Sequence, residues 1–469
     1  VSNFELIGLP NQAALSTSTV AAATEAPGFP VENLQGDEPS VRWRSTSNEP
    51  RASVIGWRAG DRDATTIEAD RLALVGTNLH PGAALVRVIT TSERYRAANP
   101  AVAFMRTPAT TASFAASDNL SGSVGDVDEG FTPDGAWVGP TSEGLEWSVR
   151  VTFSAVGTCV AGAYRQQFWV YARADGSTAQ YRATLAAELW EAGAKVADLG
   201  VKPVLSSTGS WLVWAWDAAL LAGGGADAEV RLVATPTDTG SAWVAVEVGS
   251  VVFLFETAND VDDVVEVRSD SGWLLVAPAA ASGFGAPASE DDLAGVTVVV
   301  PIAEKSGGGV DGVHSVYVLI ADDHAPVDTG DSEELPREPP GYVEAGVLVL
   351  GRAWSPARGI PAQGEFLRVV DPSRVQRTPG GQTFGVRLRP YREVTLQLGA
   401  LTAAEARGLI DRFLLRHGAR RPVLVRLLPD DADWAPLGAV WAELVEAAAF
   451  GGAAARGRLR GSLTLREKL

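Results

Sequence analysis

The chain has 469 residues, 46% of them hydrophobic, enough for roughly three cores of ~100–200 residues each. No run of about 18 uncharged apolar residues occurs, so no membrane span is expected. A net charge of −18 argues against a nucleic-acid or anionic-membrane surface, and one cysteine, Cys159, excludes an intrachain disulfide and a cysteine-ligated zinc cluster.

The start, Val1 to Glu5, has no basic or apolar leader region. It is therefore expected to be no secretory signal, and to be the end of a native chain that lost its initiator Met. From Phe4 to about Pro108 the pattern is strand and turn. Arg51–Trp57, Thr66–Val75 and Ala84–Thr91 are rich in Val, Ile, Leu or Thr between turn residues. Leu72 to Leu79 is an apolar strand running into a turn at Gly76 and Asn78.

A polar stretch from Ser113 to about Gly130 reads as a linker. Beyond it the spacing predicts strands at Leu145–Ser154, Gln166–Ala174, Ala179–Trp190, Trp211–Asp217, Ala228–Thr235 and Ala242–Glu256, the rhythm of a β-sandwich. In the second of these, Phe168, Val170 and Ala172 share one face and Trp169, Tyr171 and Arg173 the other. Strands resume at Val264–Val267, Trp273–Val276, Gly295–Pro301, Val313–Ile320 and Val343–Leu350. The acidic, Pro-rich segment Ala321–Pro340 is an exposed loop.

The last part changes character. Residues 361–469 carry 17 Lys+Arg and 11 Asp+Glu, a net of +6. Residues 1–360 carry 22 and 46, a net of −24. A basic end on an acidic body could dock on an acidic partner. Arg392–Gly399 is a strand. Thr402 with Glu405 three residues on makes a capping box for a helix Ala403–His417, with Leu409, Ile410, Phe413 and Leu414 at helical spacing and Gly418 as the stop. Strands at Pro422–Leu428, Ala439–Val445 and Arg458–Leu465 complete a small α+β domain.

Candidate sites are few. Eight of the 14 Trp fall between Trp137 and Trp243. Flat amphipathic rings suit stacking on sugars, so Trp169, Tyr171 and Arg173, with Trp214 and Trp216 beside Asp217, form a candidate glycan-binding surface. The competing assignment is that these rings fill the space between two sheets. Structural calcium at Asp260, Asp262 and Asp263, or at Asp322 and Asp323, lacks EF-hand spacing, so these read as solvated loop acids and no metal or cofactor is assigned. With 57 Asp+Glu, carboxylate pairs are guaranteed by number and none is singled out for glycosidase chemistry. Serine-hydrolase elbows, P-loops and HExxH are absent from the sequence, and no catalytic residue is assigned. Cys159 sits in an apolar stretch and reads as a buried inert thiol.

A series of landmarks carries a resemblance. They are Phe29-Pro30-Val31-Glu32-Asn33-Leu34, Trp43-Arg44-Ser45, Leu72 to Leu79, and Ala84 to Val88. Farther on come Val318 to Asp323, Tyr342-Val343-Glu344-Ala345-Gly346, Leu350-Gly351, Asp371 with Gly380-Gly381, and Arg421 to Val425. In this order they resemble a family of tailed-bacteriophage virion proteins. The resemblance implies a mainly β chain. A discoidin-like jelly roll would span 1–112 and 259–360, with a carbohydrate-binding-module-like jelly roll inserted at 113–258 and a C-terminal α+β anchoring domain at 361–469. It implies a non-enzymatic tail, baseplate or neck protein, assembled in the host cytoplasm and present in many copies or as a homo-oligomer. Its partners would be other virion proteins. The alternatives are a glycan-binding receptor module for host polysaccharide and, less favoured, a polysaccharide depolymerase.

Overall fold

The computed structural model describes residues 4–8, 11–14, 18–48, 53–59, 67–79, 84–91, 113–116, 120–121, 139–140, 147–152, 165–176, 183–204, 210–217, 228–235, 237–238, 243–254, 267–271, 273–276, 296–302, 310–322, 342–357, 366–377, 383–386, 388–417, 421–429, 431, 438–445, 449–452 and 458–468. The chain is mainly β, built from several antiparallel sheets. Cys159, Asp260, Asp262, Asp263 and Asp323 lie outside the described residues, as does most of the expected linker.

Two sheets form the first sandwich. One runs Val267–Asp270, Leu85–Thr91, Ser315–Ala321, Val54–Arg58, Thr19–Ala22, with Leu274–Leu275 also on Leu85–Thr91. The other is Val296–Pro301, Arg71–Thr77, Val347–Gly351. Alternation decides what lies between them. Ile55, Trp57, Val86, Val88, Val316 and Val318 from the first sheet meet Leu72, Leu74, Val298, Val300, Leu348 and Leu350 from the second in one buried core. The edge of the three-stranded sheet is closed by a side chain. Asn11 donates Nδ2–H to Leu348 O (2.9 Å) and accepts from Leu350 N (3.0 Å), standing in for a strand.

Residues 113–254 pair only with one another among the described strands. One sheet runs Ala194–Val204, Ala183–Glu191, Ala228–Thr235, Trp147–Thr152, Ser113–Ala116; the other runs Ser210–Asp217, Arg165–Gly176, Trp243–Leu254, Thr237–Asp238. Their facing sides share a core of Phe168, Val170, Leu185, Leu189, Leu212, Trp214, Trp216, Val230, Leu232, Val248 and others. The strand Ala194–Val204 was not expected. It is an edge strand, which is why Pro203, lacking an N–H, is tolerated in it. The turn before it, Ala192-Gly193, has φ of 50° and 81°, the left-handed pair that a two-residue hairpin needs.

The C-terminal sheet is ordered Ala353–Trp354, Phe4–Ile7, Val423–Leu427, Ala439–Leu444, Arg458–Glu467, Tyr391–Thr402, Leu367–Val370, with Ala449–Gly452 also on Arg458–Glu467. The first strand of the chain thus lies in this sheet, not in the sandwich with which residues 1–112 are grouped by sequence. Phe4–Ile7 pairs with Val423–Leu427 on one side and Ala353–Trp354 on the other. Phe4 and Leu6 are fully buried against Val425, Leu465 and Phe413, and that burial selects the register. The expected capping box is present: Glu405 N donates to Thr402 Oγ1 (3.2 Å) and Thr402 N donates to Glu405 Oε2 (2.6 Å). The helix is α over Ala403–Leu409 and π over Ile410–His417.

The three parts are stacked through apolar faces. The outer side of the larger first-sandwich sheet (Val54, Leu85, Ile89, Leu319) meets Trp169, Trp211 and Val213 of the second sandwich. The outer side of the three-stranded sheet (Ala73, Val75, Val347, Val349) meets Ile7, Leu424 and Trp441 of the C-terminal sheet. A fully buried large apolar side chain contributes roughly 1.5–3 kcal/mol. Several at each contact outweigh even the ~4–15 kcal/mol that two free bodies lose on association.

Candidate functional site

The aromatic candidates divide between two interiors. Trp214 (1% exposed) and Trp216 (3%) sit in the core of the second sandwich, and the Trp214 indole donates to Gly200 O at 3.2 Å. Trp169 is fully buried between the two sandwiches, edge-on to Trp211 with ring centroids 6.5 Å apart; Tyr171 lies 5.2 Å from the same ring. Arg173 is partly buried and donates Nε–H to Glu247 Oε2 at 2.5 Å. Over residues 168–173 the two faces are divided as the alternation predicts, Phe168, Val170 and Ala172 in the core of the second sandwich and Trp169 with Tyr171 between the sandwiches. Trp169, Trp214 and Trp216 have no open ring face for a sugar, because each is enclosed by neighbouring side chains. These three rings are a correction to the expected glycan surface.

A different tryptophan occupies an outer face. Trp190, at the end of strand Ala183–Glu191, is partly exposed and points away from the core together with Glu188. The Arg231 guanidinium stacks on its ring, 3.3 Å from the centroid. The Trp190 indole donates to Glu188 Oε2 (2.9 Å), and Lys195 Nζ donates to Glu188 Oε1 (2.7 Å). These bonds, that from Lys195 foremost, hold the Glu188 carboxyl below the usual range. The signal was present in the sequence: Trp190 alternates with the core residue Leu189 and precedes a hairpin turn.

Four of the landmarks of the resemblance converge in space. Glu344 is buried and receives Arg44 Nε–H at 2.6 Å and Arg42 Nη1–H at 2.9 Å. The Arg44 guanidinium is held between two rings, 4.1 Å from the Phe29 centroid and 4.0 Å from that of Tyr342. Asn78 Oδ1 accepts from Glu344 N (2.7 Å) while its Nδ2 donates to Tyr342 O (3.0 Å). Ser45 N donates to Val343 O and Val343 N donates to Ser45 Oγ. Segments around residues 30, 44, 78 and 344 are thereby closed into one knot. No family model and no curated protein matches this chain.

A second clamped carboxylate lies on the threaded first strand. Glu5 accepts from Arg71 Nη2 (2.7 Å), which begins a sandwich strand, and from Arg426 Nη1 (3.0 Å) in the neighbouring C-terminal strand. Each carboxylate is saturated by guanidinium donors, an arrangement suited to holding segments in place. Among the described residues no group of three or more His, Cys, Asp or Glu could hold a metal, and Asp322 is fully buried.

Proposed function

We propose that this chain is a structural component of a tailed-bacteriophage particle, placed at tail, baseplate or neck, with an architectural rather than catalytic role. The observation that carries the reading is the convergence of Phe29, Arg44, Asn78, Tyr342 and Glu344, residues from four of the dispersed landmarks of the resemblance, into one arginine-clamped knot. The finer architecture proposed with it is a discoidin-like jelly roll carrying an inserted jelly roll at 113–258. The basic C-terminal part, net +6, would seat on other virion proteins, and the acidic sandwiches would project from it. Many copies per particle turn weak single contacts into a firm attachment. An electron-microscopy map of a particle whose genome encodes this chain tests it. Density for the stacked β parts on tail, baseplate or neck is the expected result, and a complete map without it overturns the reading.

A second reading, contact with host polysaccharide, is favoured by the outward cluster of Trp190, Glu188, Arg231 and Lys195. A glycan array probed with the full chain and with Trp190→Ala checks it. Binding that disappears in the variant is expected; no binding to any host glycan removes it.

A further inference from the structure

Where the first sandwich meets the C-terminal sheet there is a cleft of about 70 Å³. Its lining includes Arg42, Arg389, Arg392 and Lys468, with Glu467 as the one carboxylate and Trp441 as an apolar wall. Gly76 (φ +68°), with no side chain to fill the space, also borders it. The cations are only partly neutralised. Arg42 shares Glu344 with Arg44, Arg392 is paired with Glu467, and Lys468 reaches Glu38 at 2.9 Å. Arg389 is exposed and has no carboxylate partner among the described residues. Four cations thus line the cleft with one carboxylate, in a chain whose net charge is −18.

We propose that this cleft is a binding site for a single oxyanion, a phosphate or carboxylate group. The local excess of positive charge gives the sign of the ligand, and guanidinium forks favour planar or tetrahedral oxygens. The space suits a few waters or one small oxyanion and is far below the roughly 300 Å³ of an ordinary small-molecule pocket. The residues come from both sides of the junction: Arg42 from the sandwich, and Arg389, Arg392 and Lys468 from the C-terminal part. A bound oxyanion therefore bridges the two.

Calorimetric titration of the full chain with inorganic phosphate and, separately, with acetate tests this, in chloride buffer at fixed ionic strength. Saturable binding of either is expected. Phosphate binding alone identifies a phosphate source, and acetate binding alone a carboxylate source. Arg389→Gln, on an exposed side chain, leaves the circular dichroism unchanged and weakens binding about tenfold, the equivalent of one charge-assisted contact. Arg42→Gln weakens it as well. No heat with either anion, or affinity unchanged in Arg389→Gln and in Arg42→Gln, overturns the site.

Discussion

Glu344 shows how one residue can hold several segments. Its carboxylate is enclosed, and its two arginines are partly buried with it. Removing one member leaves the others desolvated without compensation, which costs more than the pair contributes net. Glu344→Ala is expected to lower stability by about 3 kcal/mol, read as a lower urea midpoint with an unchanged slope. Lys202 tests the opposite case. Burial pushes its amine down to about 8, offset in part by the charge of Asp322, and its Nζ lies 5.8 Å from the Trp214 ring centroid. Below pH 8 the amine is protonated in both states. Between about 8 and 10.5 the folded chain has released the proton while the unfolded chain keeps it, so stability rises with pH across that window. Lys202→Met should remove this rise. The slope is the readout, since the substitution also takes a cation from Asp322.

At the scale of elements, two local rules can be probed. Thr402→Ala removes the side-chain acceptor of the capping box and should cost about 1 kcal/mol. Ala192 adopts φ 50° in a hairpin turn that favours Asn-Gly. Ala192→Asn is expected to raise the thermal midpoint, by roughly 0.5–1 kcal/mol of stability. How far the elements were legible follows from the same physics. Ala228–Thr235 and the capping box depend on neighbours in sequence, and both are where periodicity and spacing put them. Ala194–Val204, with Gly200 and Pro203, has the composition of a loop and is a strand only because Ala183–Glu191 lies beside it. The same limit applied to the site. Alternation at 168–173 separated two faces correctly, but the cover over Trp169 is supplied by Leu319 and its neighbours, about 150 residues away, and nothing local announces it. Val31–Gln35 closes as a 3-10 helix under the first sandwich, with Val31 and Leu34 buried.

For the whole molecule, the stacked faces decide whether the parts move separately. Trp211 sits at the contact of the two sandwiches, 5% exposed, against Trp169 and Tyr171. Trp211→Ala should cost about 3–5 kcal/mol. It should also split a single calorimetric transition into two, because the second sandwich retains its own core while its docking is weakened. One melting transition at an unchanged temperature would mean that this contact does not couple them. The position of Phe4–Ile7 has a different kind of consequence, one of timing. Its partner strand Val423–Leu427 leaves the ribosome some 420 residues later, which at about 5–20 residues per second is on the order of 20–80 s. Throughout that interval an apolar segment waits without its partner, so this part of the C-terminal sheet closes only after Val423–Leu427 has been made.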